Sequence, residues 1–140
     1  MNKVKHLAAL RGATQCQNSA EDIAAQVTAL YEGLLGENKL AEGDILSLIF
    51  SMTGDLDEKN PATALRQAGY ARDLALFVVQ EAQVKNTLER TVRILIHCYL
   101  DEGVNPRHVY RNGAELLRQD RSSKGSGEAP ISPVMPPFKG

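Results

Sequence analysis

Five arginines, Arg11, Arg66, Arg93, Arg107 and Arg118, stand on strands or at the ends of elements rather than scattered along solvated helices. Guanidinium groups pair bidentately with carboxylates, so such a set suits a dicarboxylate ligand. Arg93 is the most demanding of them. It is third in "TVRILIHCY", residues 91–99, a run that otherwise reads as a buried strand. Val92, Ile94, Ile96 and Cys98 fall on one face of the pleat, and Arg93, Leu95, His97 and Tyr99 on the other. Burying a guanidinium without an anionic partner costs several kcal/mol or more, so either a protein carboxylate or a ligand carboxylate has to face it. A structural ion pair or a snorkelling edge residue is the plainer account of this strand taken alone.

Other chemistries find little in the sequence. It has no glycine-rich phosphate loop, no HExxH, no CxxC and no GxSxG elbow. His97 and Cys98 are adjacent, so on a strand they point to opposite faces and cannot share a metal. His6 and His108 are lone histidines, more often packed or surface residues than catalysts. No metal site and no cofactor is expected.

The elements that must position the arginines can be read from period and punctuation. "VKHLAALRGATQ" reads as a first strand, with an end at Arg11-Gly12 where glycine lets the backbone turn. From Asn18 the period becomes helical. Asn18 with Glu21, or Ser19 with Asp22, offers a capping box, Ile23, Val27, Leu30 and Leu34 form the apolar stripe, and Gly36 is the expected stop. "DILSLIFSMT" suits either a buried strand or a helical turn leading into one. Pro61 suits the first position of a short helix with Asn60 as its N-cap, running to about Gln67 before Gly69. "LALFVVQE" is a third strand ending in Glu81. After the Arg93 strand come a proline turn, a brief strand at His108 to Tyr110, and a helical turn ending near Arg118. Strands mixed with helices, without internal repeat or strict βαβ alternation, argue an α/β or α+β mixed sheet covered by helices.

Composition sets the outer limits. A chain of 140 residues, 43% of them hydrophobic, suits one domain with a real core. Residues 1–120 are assigned to it, and the Gly/Ser/Pro-rich residues 121–140 to a disordered tail. No apolar run approaches the roughly 20 residues of a membrane span, and "LAAL" followed by Arg11 is too short for a signal-peptide core. A formal net charge of -1 gives no general case for nucleic acid or an anionic membrane as partner. Cys16 and Cys98 make neither a disulfide framework nor a zinc knuckle, which points to a reducing cytosol.

Taken in order, "LRGAT" at 10–14, "PATALR" at 61–66, "QE" at 80–81, L-x-x-x-V-R-I-L from Leu88 to Leu95, and "HVY…A-x-x-LR" from His108 to Arg118 resemble the small trimeric α/β class of chorismate mutases. The resemblance covers roughly residues 4–120. It implies a homotrimer whose sheets form a central pseudo-α/β-barrel with helices outside, and active sites in clefts between subunits, where Arg93 would meet its anion across the interface. It implies that Arg93 donates to the ether oxygen and a carboxylate of chorismate, that Arg11, Arg66, Tyr110 and Arg118 hold the carboxylates, and that Glu81 accepts from the ring hydroxyl. Asn60, Ala62, Thr63, Phe77, Val78 and Leu117 would complete the substrate-binding wall. Converting chorismate to prephenate is intramolecular and needs no nucleophile, metal or proton-transfer pair. It needs a folded substrate conformer and a cation where negative charge builds, worth roughly 3 to 4 kcal/mol of barrier by analogy with an oxyanion donor.

The sequence departs from that pattern at four points. Asn60 stands where an aromatic tends to precede the proline, Thr63 where lysine is common, Val78 where some members carry a cysteine that assists Glu81, and "LRQD" where "LRPD" is expected. These changes suggest a less efficient mutase or a relative acting on a related cyclic dicarboxylate. Two further readings are a non-catalytic carboxylate-binding trimer and, by fold analogy alone, an imine-hydrolysing enzyme of similar trimeric architecture.

Overall fold

The computed structural model describes residues 4–117. The tail at 121–140 and Arg118 lie outside the described residues. Five strands form one mixed sheet: β1 (Lys5–Gln15), β2 (Ile45–Met52), β3 (Ala75–Gln80), β4 (Thr91–Asp101) and β5 (Val109–Arg111), in the order β3-β2-β4-β1-β5. The central β4 runs antiparallel to both neighbours, while β3 pairs parallel with β2 and β5 parallel with β1. Among the described residues two α-helices, α1 (Ala20–Asn38) and α2 (Pro61–Gln67), and a 3-10 turn at Glu42–Asp44 accompany the sheet, and a helical turn follows at 115–117.

Alternation along the strands sends Leu10, Leu48, Phe50, Val92, Ile94, Ile96 and Cys98 to one face, where they are buried with Ile23, Val27, Leu30 and Leu34 of α1 and Leu65 of α2. Fully burying a side chain of this size contributes about 1.5–3 kcal/mol, so this helix-covered layer is what holds the domain together. No helix among the described residues is long and apolar enough to cross a membrane.

Each local expectation meets a specific outcome. Ser19 caps α1, accepting from Asp22 N at 3.1 Å. The helix runs past Gly36, however, and stops only after Asn38, where Lys39 takes the left-handed conformation at φ 49°. Nothing at Gly36 demands positive φ, whereas Asn38 is tied down beyond the helix: its amide donates to Leu34 O and Arg107 O, and it accepts from Arg107 N. Nor does β1 end at Arg11-Gly12. It continues to Gln15 because β4 and β5 pair with it on both sides. Gly12 permits close packing instead of a turn: a Cβ there would lie 3.0 Å from Leu30 Cδ1, Leu34 Cδ1 and the Val109 carbonyl. "DILSLIFSMT" resolves into a strand entered through the 3-10 turn, and α2 begins and ends where Asn60, Pro61 and Gln67 indicate. The last short strand is Val109–Arg111, one residue later than expected, since the His108 ring rather than its backbone meets β1: Arg11 N donates to His108 Nδ1 at 3.0 Å.

Candidate active site

The register places the predicted residues in two groups. Directly paired residues share a face, so the row Tyr110, Ala13, Arg93, Ser51, Val79 crosses the sheet from β5 to β3 on the face away from α1. The next row carries Arg11, Leu95, Ile49 and Phe77. Arg11 is thus a diagonal neighbour of Arg93, with about 7–8 Å between such backbone positions.

Arg93 finds an anion inside its own chain. Its Nη2 lies 3.1 Å from Glu81 Oε2, with side chains 30% and 17% exposed. Of the two partners the sequence leaves open for Arg93, a protein carboxylate is thus present in the same chain. Glu81 is itself held twice, its backbone N donating to Met52 O at 2.8 Å and its Oε1 accepting from Ser51 Oγ at 3.2 Å. The rest of the guanidinium is not satisfied. Arg93 Nε is buried and has no hydrogen-bond partner among the described residues, and leaving such a donor unmet costs about 1–3 kcal/mol. Among those residues no carboxylate pairs with the Arg11 guanidinium either; Arg11 is exposed on the same face, and its backbone is braced by His108. Tyr110 stands two strands from Arg93, roughly 10 Å at ordinary strand spacing. Leu117 follows in a helical turn, its N donating to Ala114 O.

The second group lies elsewhere. Asn60 spends its side-chain oxygen on the α2 N-terminus, accepting from Ala62 N and Thr63 N. Ala62 is buried and Thr63 exposed. Arg66 donates from Nη2 to Leu74 O at 3.1 Å and from Nε to Ala71 O at 3.5 Å. Leu74 precedes by five residues the Val79 that marks the Arg93 row, roughly 16 Å along a strand, so the backbone that holds Arg66 is well separated from the row that carries Arg93. Phe77 is 66% exposed on the edge strand β3, facing the open side. Val78 opposes Phe50 and packs against the core. Its side chain is therefore turned from the face of Arg93. Arg107 pairs with Glu37 at 3.8 Å on the surface, away from both groups.

A cavity of about 480 Å³ opens beside Glu81, walled by Thr53, Asp55, Glu81, Lys85, Leu88 and Glu89 among others. It touches the first group only through Glu81, so the arginine cluster and not the cavity marks the site. Sequence reasoning missed Ser51 and His108, which hold Glu81 and Arg11. Their roles depend on strand pairing, and neither has a local signature. Among the described residues no group of three or more histidines, cysteines or acidic residues could hold a metal. Both cysteines are free and buried, and burial pushes the Cys16 thiol up to about 11, leaving it a poor nucleophile.

A mixed sheet with helices on one face and an arginine–glutamate pair on the other defines the class. Residues 7–121 match the family described as Chorismate mutase type I, and the chain belongs to that family. It is similar to Chorismate mutase AroH of Thermus thermophilus, 31% identical over 117 residues that make up 81% of this chain and 95% of the relative. Among solved structures it is similar to a chorismate mutase from Clostridium thermocellum, at 37% identity and a TM-score of 0.71, covering 79% of this chain and 99% of that one.

Proposed function

We propose that this protein is an isomerase that converts chorismate to prephenate, as a homotrimer whose sites form between subunits, in aromatic amino acid or related aromatic biosynthesis in the cytosol. The observation that carries the reading is the state of Arg93: one guanidinium nitrogen is fixed by Glu81 while the buried Nε–H has no acceptor. In the rearrangement the ether C–O bond breaks as a C–C bond forms within one molecule, and negative charge gathers on the ether oxygen. A preoriented N–H beside a fixed cation stabilises that charge without reorganisation. Arg11 and Tyr110 on the same face, together with Arg118, hold the carboxylates and keep the substrate folded, Glu81 accepts from the ring hydroxyl, and Leu117 adds to the binding wall.

Arg66 enters from the neighbouring copy, with Asn60, Ala62, Thr63, Phe77 and the β3 edge. Two features support this. The Arg66 guanidinium is held by the Leu74 carbonyl, five residues along the chain from the Arg93 row, and the sheet face that would line the trimer axis carries exposed Leu7, Phe77, Val79 and Tyr99. A second reading, a related cyclic dicarboxylate as substrate, draws on α2: the Asn60 oxygen is engaged in capping and Thr63 is uncharged, so the rim lacks one aromatic wall and one cation.

The test is to mix the purified protein with chorismate, follow loss of its absorbance, and identify the product by chromatography, with Arg93→Ala as control. Prephenate from the parent and none from the control is expected. Unchanged chorismate with a folded trimer would redirect the search to other cyclic dicarboxylates, and tight binding without turnover would favour a carboxylate-binding trimer.

A further inference from the structure

The loop that carries the Arg66 acceptors is clamped from outside the site. Glu42 uses a single oxygen, Oε2, to accept both the Tyr31 hydroxyl at 2.6 Å and the Ala71 backbone N–H at 2.8 Å. Tyr31 and Ala71 are fully buried, and Ala71 has a left-handed backbone at φ 54°, a conformation that is strained for a non-glycine residue and persists only where its surroundings enforce it. The same Ala71 presents its carbonyl to Arg66 Nε, and Leu74, three residues on, presents its own to Arg66 Nη2. Tyr70 completes the brace, packing edge-on against Tyr31 at 5.4 Å and donating to Glu32. A chain of contacts thus runs from α1 and the 3-10 turn, through Glu42, to the strained residue whose carbonyl aims Arg66.

We infer that Glu42 is a positioning residue for Arg66, setting through Ala71 the direction in which that guanidinium is offered to a substrate carboxylate. The inference rests on the role proposed above for Arg66. Because both bonds converge on one oxygen, the device depends on where that oxygen sits and not on its charge: a glutamine carbonyl can accept both donors, and a shorter carboxylate cannot reach both.

The experiment compares Glu42→Gln with Glu42→Asp, each in the parent protein and in an Arg66→Ala background, reading KM and kcat for chorismate together with Tm. The expected result is a KM about tenfold higher for E42D, a smaller change in kcat, parent-like KM for E42Q, and no further rise when E42D is added to R66A, since residues that act through one group are non-additive. Parent-like KM in E42D overturns the inference, even if its Tm falls. An equal KM rise in E42D and E42Q overturns it in favour of a charge effect, and a full rise of E42D on top of R66A overturns it in favour of a general structural one. If R66A itself leaves KM unchanged, the Arg66 assignment fails and the inference with it. Absence of turnover in the parent protein is a separate failure, that of the mutase reading.

Discussion

The two faces of the sheet are built from the same strands by opposite rules. On the helix-covered face every predicted apolar residue is satisfied within the chain: Leu10, Phe50, Val92 and Ile96 are fully buried, and Gly12 lets α1 and β5 approach closely. On the other face little is complete. Arg93 holds one partner and lacks another, Arg11 is unpaired among the described residues, and Phe77 and Leu7 are 66% and 61% exposed. The difference teaches that the fold is complete within one chain, while the face carrying Arg93 and Arg11 is left with unmet groups, as the proposed site between subunits requires. A face that left the arginines fully paired would have no capacity for a dianion, and one that left the core equally open would not fold.

The sharpest way to break that contrast is to remove Arg93. Its replacement by alanine should lower kcat by about 10²–10³ or more, the range for losing one oxyanion donor, while leaving Tm nearly unchanged, because the residue stabilises little of the core. Lysine should restore only part of the rate, as a point charge cannot face an ether oxygen and a carboxylate in one plane. Steady-state rates with chorismate and a thermal melt decide it. A large fall in Tm would mean that Arg93 belongs to the structural face after all.

Next in size is a complementation experiment. Arg93→Ala and Arg66→Ala proteins should each be impaired alone and, after dissociation and random reassembly in equal amounts, should recover about a quarter of the parent's sites, each pairing an intact Arg93 with an intact Arg66 of another copy. No recovery in a verified mixed oligomer would place both arginines in one subunit's site, against the separation of roughly 16 Å along the strand between Leu74, which holds Arg66, and the Arg93 row.

The structural face is probed by Gly12→Ala. Its added methyl meets Leu30, Leu34 and the Val109 carbonyl at 3.0 Å, and overpacking of this kind costs about 1–3 kcal/mol. Several degrees of Tm should be lost, with a modest rise in KM as β5 and Tyr110 shift. An unchanged melt would show that the helix yields freely.

The smallest effect concerns pH. Burial, more than the nearby Asp22, raises the Cys16 thiol to about 11, and Cys98 and Tyr31 are raised in the same direction by burial. The folded protein then keeps protons that the unfolded chain releases, so stability should be flat below about pH 9 and decline between pH 9 and 11. The rate should stay nearly flat through neutrality, since guanidinium groups do not titrate there. A bell centred near a histidine pKa would argue for proton-transfer chemistry.

Much of the helix-covered face is written locally. The Ile23, Val27, Leu30 and Leu34 stripe, the Ser19 cap and the Asn60-Pro61 helix start each follow from periodicity or from side chains that meet backbone donors within a few residues. The alternation around Arg93 separated its two faces correctly, and the ordered set of short motifs placed the chain among chorismate mutases. Where local reading went astray, at Gly12, Gly36 and His108, the outcome was set by partners distant in sequence: β5 and α1 for Gly12, Arg107 for the end of α1, and Arg11 for the histidine ring. Residue types and order thus determined the elements and the class of chemistry. Tertiary structure alone decided that Glu81 meets both Arg93 and Ser51, that Val78 turns to the core, and that Ala71 and Leu74 hold Arg66, because strand register and helix docking fix which groups come together.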